Sequence, residues 1–239
     1  FLGYQRLVDH TVTTQSALVP TLLERNGDFS LSVDAFGRPI QVVDPVNRRP
    51  FSNGVIPSGL LSREAQSLLQ YYPTANLEAG GRYNYQTPVM KGTHQDSGQA
   101  RAIHSINGRN QLFGNASFQQ STTDAGNLFG FTDSTHLSTL DTAINWSHRF
   151  SPFLSARFRY QYTRQSTDVT PFFAGRTNVS GDAGIAGNNQ ETANWGPPAL
   201  TFASGLAGLS SAQFAANTTT THAAGVEIIR TIPRHTFTI

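Results

Sequence analysis

Between residues 153 and 163 the chain alternates with a period of two. Leu154, Ala156, Phe158, Tyr160 and Tyr162 fall on one face, and Ser155, Arg157, Arg159, Gln161 and Thr163 fall on the other. Successive side chains of a strand point to opposite sides, so this segment reads as a strand with one apolar and one wet face. Residues 137–149 repeat the design, with Leu140, Thr142, Ile144, Trp146 and His148 alternating with Thr139, Asp141, Ala143, Asn145, Ser147 and Arg149. Ser151-Pro152 between them reads as a tight turn. Like faces must meet in an antiparallel pair, and both apolar sets are even-numbered, so an odd number of residues must connect them. The simplest choice is the three residues Phe150, Ser151 and Pro152. It sets Trp146 opposite Ala156, Ile144 opposite Phe158 and Asn145 opposite Arg157, with Asp141 diagonal to Arg159.

Two more hairpins follow the same logic. Gly98, Ala100, Ala102 and Ile106 form one face of a strand, and Leu112, Gly114, Ala116 and Phe118 answer them after an Asn107-Gly108 turn signal. Residues 219–230 alternate, turn at Ile232-Pro233 and restart at Arg234, and residues 1–12 read as a further strand. Helix is sparse. Ser58 or Ser62 can cap a short helix over Leu61–Tyr72 that Pro73 stops, and Pro20 to Arg25 can make one turn ended by Asn26-Gly27. Connections near 107–110, 150–152 and 231–234 are short, and those over 13–96, 123–136 and 166–218 are long. Short turns at one end and long loops at the other is how outer-membrane barrels are built.

Composition separates that architecture from a soluble sandwich. Charged residues are only 13% of the 239, and every basic residue except Lys91 is arginine. The wet face carries Arg, Gln, Asn and Ser in strand after strand, as a water-filled lumen requires. Gly98, Ala100, Ala102, Gly114 and Ala116 would underfill a sandwich core but are acceptable against acyl chains. Trp146, Phe150 and Phe153 cluster beside a short turn, where an aromatic girdle sits. The expected fold is therefore all-β: an antiparallel transmembrane β-barrel segment of about six or seven strands, with long extracellular loops and minor helix. So few strands with a wet interior cannot close a wide barrel, because every backbone amide in hydrocarbon needs a partner and large transporters use ~22 strands. Both ends look cut through strands, so a piece of a longer protein is expected.

Several stretches resemble the Oar-like TonB-dependent receptors, a family of large bacterial outer-membrane proteins. They are VPTLLERNGDFS at 19–30, VVDPVNRRPF at 42–51, VIPSGLLSREAQSLLQYYP at 55–73, NGRNQLFGNASF at 107–118, PFFAGRTNVSGDAGIAGNNQ at 171–190 and NWGPPALTFASGLAGLSSAQ at 194–213. Their joint order carries the resemblance. It implies that residues 1–239 are part of the β-barrel domain of such a receptor, whose plug, N-terminal domain and TonB-contacting segment have no counterpart here. It implies gated passage of a large solute, with outer-membrane lipid, the plug of the same full-length protein, the TonB complex and an unidentified extracellular cargo as partners. Around 94–106 the chain departs from the family's more charged strand, and no role is carried to His104.

Residues for bond chemistry do not assemble. The absence of cysteine removes thiol catalysis and thiolate metal sites. The seven histidines show no metal spacing, and the carboxylates, Glu24, Glu64, Glu78, Glu191 and Glu227 among them, are scattered. No enzyme, cofactor, metal or nucleic-acid role is expected. The candidate contact residues are Arg101, Arg157 and Arg159 on the wet face, for a plug carboxylate or an anionic solute, and Phe172, Phe173, Trp195 and Phe202 in the long loops, for cargo. The competing roles are pairing of the arginines with neighbours such as Asp141, and packing of the aromatics within their loops. A different function class also fits the alternation: a surface-attached, β-rich adhesion or glycan-binding module. There the Leu154-to-Tyr162 face would meet a second sheet instead of lipid.

Overall fold

The computed structural model describes residues 1–34, 37–77 and 82–239. Glu78 lies outside them. Seven strands, β1 (Leu2–Ala17), β2 (Tyr85–Asn107), β3 (Asn110–Gly126), β4 (Thr132–Ser151), β5 (Leu154–Thr170), β6 (Ala215–Ile232) and β7 (His235–Thr238), form one sheet in chain order. Every neighbouring pair is antiparallel, and the sheet is open. Among the described residues no second sheet covers the Leu154-to-Tyr162 face, so the sandwich architecture does not hold.

From β1 to β6, outside the pairs Asn107–Asn110 and Ser151–Leu154 at the short turns, even-numbered residues pair with even-numbered ones, so parity defines two continuous faces. The expected sidedness stands, but the expected β4–β5 register is corrected by two residues. Trp146 faces Phe158, Ile144 faces Tyr160, Asn145 faces Arg159 and Asp141 faces Thr163. The count of residues outside the ladder is still odd, which the face argument requires. They are Phe150, in an irregularity between Arg149 and Ser151, and Pro152 and Phe153 at the turn. A bulge plus a two-residue turn replaces the three-residue turn. The β2–β3 hairpin is built the same way. Ile106 drops out of the ladder, and the Asn107 side-chain oxygen accepts from the Arg109 and Asn110 amides at 2.9 and 3.0 Å.

The long connections are also redrawn. Those at the far end of the sheet span 18–84, 127–131 and 171–214, and the middle one is a short turn. β2 has 23 residues and β4 has 20, while hydrocarbon needs only ~9–11 per tilted strand. The even face explains the surplus. It is apolar through Leu112, Ala116 and Phe118 on β3, Leu140, Ile144 and Trp146 on β4, and Phe158 and Tyr160 on β5. One row further from the short turns it becomes polar across six strands at once: Arg6, Asp96, Gln120, Ser138, Ser166 and Thr218. The apolar band stays open to its surroundings, with Ile144 at 53% and Val226 at 58% exposure. A small residue in the band makes room for a ring, since a Cβ at Gly98 would lie 2.3 Å from Phe118.

The core lies outside the sheet, in the long connections. Val19, Leu68, Tyr72, Phe131, Phe173, Val179, Ala183 and Leu209 form its buried cluster. Two helices brace it. α1 (Leu22–Arg25) has a Thr21–Glu24 capping box, and α2 (Arg63–Leu69) is capped by Ser62 and is shorter than the expected Leu61–Tyr72. The Arg25 guanidinium gathers the carbonyls of Pro20, Leu69, Tyr72 and Pro73. A further single turn, α3 (Val179–Asp182), was not expected from sequence; Asn178 caps it. The buried Asn84 side chain clasps the Val19 amide and carbonyl at 2.8 Å each. The Tyr72 hydroxyl donates to the Ala207 carbonyl at 2.8 Å and accepts from the Leu209 amide at 3.2 Å, and burial pushes its pKa up. Tyr72→Phe leaves both backbone groups unpaired and is expected to cost about 1–3 kcal/mol locally. Limited proteolysis of the full-length protein should show faster cleavage within 200–209 with an unchanged β-sheet circular-dichroism signal.

Candidate functional site

The odd face is a wall of neutral hydrogen-bonding groups. Gln5, Ser97, Gln119, Thr139, Gln165 and Thr219 form one row across six strands, and Gln99, Ser117, Asp141, Thr163 and Thr221 form the next. Positive charge gathers toward the short turns, where Arg101, Arg149, Arg157 and Arg159 share this face. Their partners differ. Arg157 pairs with Glu227 of β6, Nη1 to Oε2 at 2.9 Å. Arg159 donates to the Gln161 side-chain oxygen at 3.0 Å, and Arg101 sits 5.0 Å over the Phe113 ring. Arg149 donates to the Gly108 carbonyl at 2.7 Å. Asp141, the partner expected for these arginines, instead accepts from the Thr163 hydroxyl at 2.6 Å. The two-residue register shift moves it away from Arg159. All these groups are at least partly exposed, so the Arg157–Glu227 pair contributes at most about 1 kcal/mol to stability and leaves its charges open to a ligand. Sequence reasoning missed Glu227 as a partner because β5 and β6 are joined through the long 171–214 connection, which hides their register.

The long connections pack onto the same side as this wall. Ala17 and Tyr85, which touch the loop core from the strands, are both odd-numbered. Asp133 at the start of β4, also on the odd face, accepts from the Phe172 amide at 2.8 Å and the Ala212 amide at 2.9 Å. One carboxylate thus holds both ends of the 171–214 connection at the rim. The loop aromatics divide. Phe173 is 4% exposed and packs against Phe131, Tyr71 and Phe172, so its ring is used in the core and is withdrawn from the surface contact expected of it. Phe172 is half-buried, stacked on Phe131 with Arg176 over it. Trp195 is half-buried and donates to the Gln190 carbonyl at 3.0 Å. Phe202 is exposed and borders a hollow of about 500 Å³ with Phe29, Ile56, Leu60, Leu61 and Leu206. Arg25 and Glu24 at that hollow already have internal hydrogen-bond partners, so it offers apolar contact.

At the short-turn end the even face carries aromatics. Trp146 stacks on Phe158 at 5.2 Å and donates to Asn110, while His148 meets Phe150 at 4.4 Å. A single sheet that is wet on one face, apolar over a membrane-high band on the other and flanked by such rings is a segment of a membrane-spanning β-barrel. The chain belongs to the outer membrane beta barrel domain family, whose model matches residues 1–239. It resides in the bacterial outer membrane; an apolar even face belongs against lipid, which leaves the wet odd face to line the lumen. No curated protein and no solved structure matches the chain.

Asp133→Ala removes the acceptor from two amides at once. Each charge-assisted bond is worth about 1.5–3 kcal/mol. Proteolysis of the full-length protein in outer membranes should become at least tenfold faster within 171–214, with the sheet intact; unchanged protection would show that the carboxylate does not hold the connection.

Proposed function

We propose that this chain is part of the barrel of a TonB-dependent, Oar-like receptor that binds a large solute and passes it through a gated lumen. The observation that carries the reading is the shared side of the wet wall and the folded long connections: both lie on the odd face, joined through Ala17, Tyr85 and Asp133. A wide wet wall needs an occupant if the barrel is not to leak, and a plug from elsewhere in the full-length protein supplies one. In this reading Arg101, Arg157 and Arg159 hold plug carboxylates or an anionic solute. Their side chains reach into the lumen with charge that Glu227 only partly offsets. Phe172, Trp195 and Phe202 contribute to the cargo-facing surface of the loops, and Phe202 borders the apolar hollow. The work is binding and movement, with no bond made or broken, and no cofactor takes part.

The test avoids the need to know the cargo. The full-length protein in detergent is passed over the immobilised periplasmic domain of TonB. Specific capture, competed by a peptide copying the receptor's own TonB-contacting segment, is the expected result. A full-length protein that is never captured contradicts the TonB-dependent reading while leaving the barrel untouched.

A further inference from the structure

The even face continues past the apolar band without any covering element, and at its upper edge stands a guanidinium with no counter-ion. Arg164 of β5 is exposed and pairs across the sheet with Leu140 and Thr220. Its other neighbours on that face are Tyr162 and Ser166 along the strand, and Thr142, Ser138, His222 and Thr218 on the diagonals. None is a carboxylate. Among the described residues Arg164 makes no side-chain hydrogen bond and no ion pair, in contrast to Arg6 and Arg157, which pair with Asp96 and Glu227. Asp168, the next acid on its own strand face, is four residues on, about 13 Å away.

Directly below Arg164 is an aromatic group. The Tyr160 hydroxyl and His222 Nδ1 are 2.8 Å apart, and the Tyr162 and His222 rings are 5.1 Å apart. Tyrosine and histidine with a polar tip and an apolar body are the side chains that settle where hydrocarbon meets headgroups. Immediately above Arg164 the face turns polar, with Ser138, Ser166 and Thr218. Arg164 thus sits at the hydrocarbon–headgroup boundary on the long-loop side, which is the outer leaflet.

We propose that Arg164, with Tyr162 and His222 beneath it, forms an outward-facing seat for the phosphate of an outer-leaflet lipid. The occupant follows from continuity. The band below is the lipid interface, and what lies next along the same surface is the headgroup of the same lipids. A planar guanidinium presents two parallel donors to phosphate oxygens, and near hydrocarbon that bond is weakly screened. The surface has nothing to do with cargo, so the site stands whether or not the transport reading does.

Native mass spectrometry of the full-length receptor, extracted from outer membranes in a mild non-ionic detergent, tests it by counting retained phosphorylated lipids. Arg164→Gln should lower retention about fivefold, the ratio that one cation at an anionic surface commonly supplies. Lys91→Gln is the control: Lys91 is a cation on the lumenal face, opposite Thr11, and its loss should leave retention unchanged. Equal retention by wild type and Arg164→Gln, equal losses in both variants, or a wild-type receptor that carries no phosphorylated lipid would each overturn the assignment. So would a second receptor copy found in place of lipid at this face.

Discussion

A backbone amide in hydrocarbon has no water to bond with, and leaving it unpaired costs several kcal/mol. That one requirement organises the molecule. It demands strands whose ladders run without a break through the membrane, and the six long strands supply them. It permits irregularity only where water can solvate the freed groups. The two breaks in register, near Ile106 and near Phe150, both lie beside the short turns. With the backbone satisfied internally, side chains are left to choose a solvent. Parity then does the rest, sending Phe158 and Tyr160 to lipid and Arg157 and Arg159 to the lumen.

How far sequence could see follows from that physics. Within the membrane the two faces meet different solvents, so alternation is strong, and the Leu154–Tyr162 and Leu112–Phe118 faces were legible. Beyond the apolar band the ends of β3 and β4 carry polar side chains on both faces. Thr122, Thr123 and Asp124 on β3 and Asp133, Ser134 and Thr135 on β4 are all polar, so the period-two signal vanishes while the ladder continues. This is why 123–136 read as a long loop although β3 and β4 occupy most of it. Parity was legible at the β4–β5 turn, but distance along the strand was not. A three-residue turn and a bulge with a two-residue turn give the same sidedness and differ by two residues in register.

The candidate site divides along the same line. That Arg101, Arg157 and Arg159 share the wet face needed only parity. Which side chains they meet needed register: Asp141, the neighbour expected for them, bonds Thr163, and Arg157 pairs with Glu227 across a strand pair whose register the long connection hides. The loop aromatics were harder still. Phe173 and Phe202 stand in similar glycine-rich surroundings, yet one is enclosed by Phe131 and Tyr71 and the other is exposed. Only the assembled packing of 18–84 against 171–214 distinguishes them. That packing also puts the chain's main apolar cluster in its loops, which suits a membrane sheet whose lipid-facing surface needs no protein partner.

The most direct measurement compares neighbours on one strand. The 239 residues contain no cysteine, so Phe158→Cys and Arg157→Cys each introduce one thiol here that can carry a bimane label. Reconstituted with brominated lipids, label at 158 should be strongly quenched and label at 157 reachable only by a water-soluble quencher. Quenching by lipid at 157, with 158 shielded from it, would contradict the assignment of even residues to the bilayer and odd residues to the lumen.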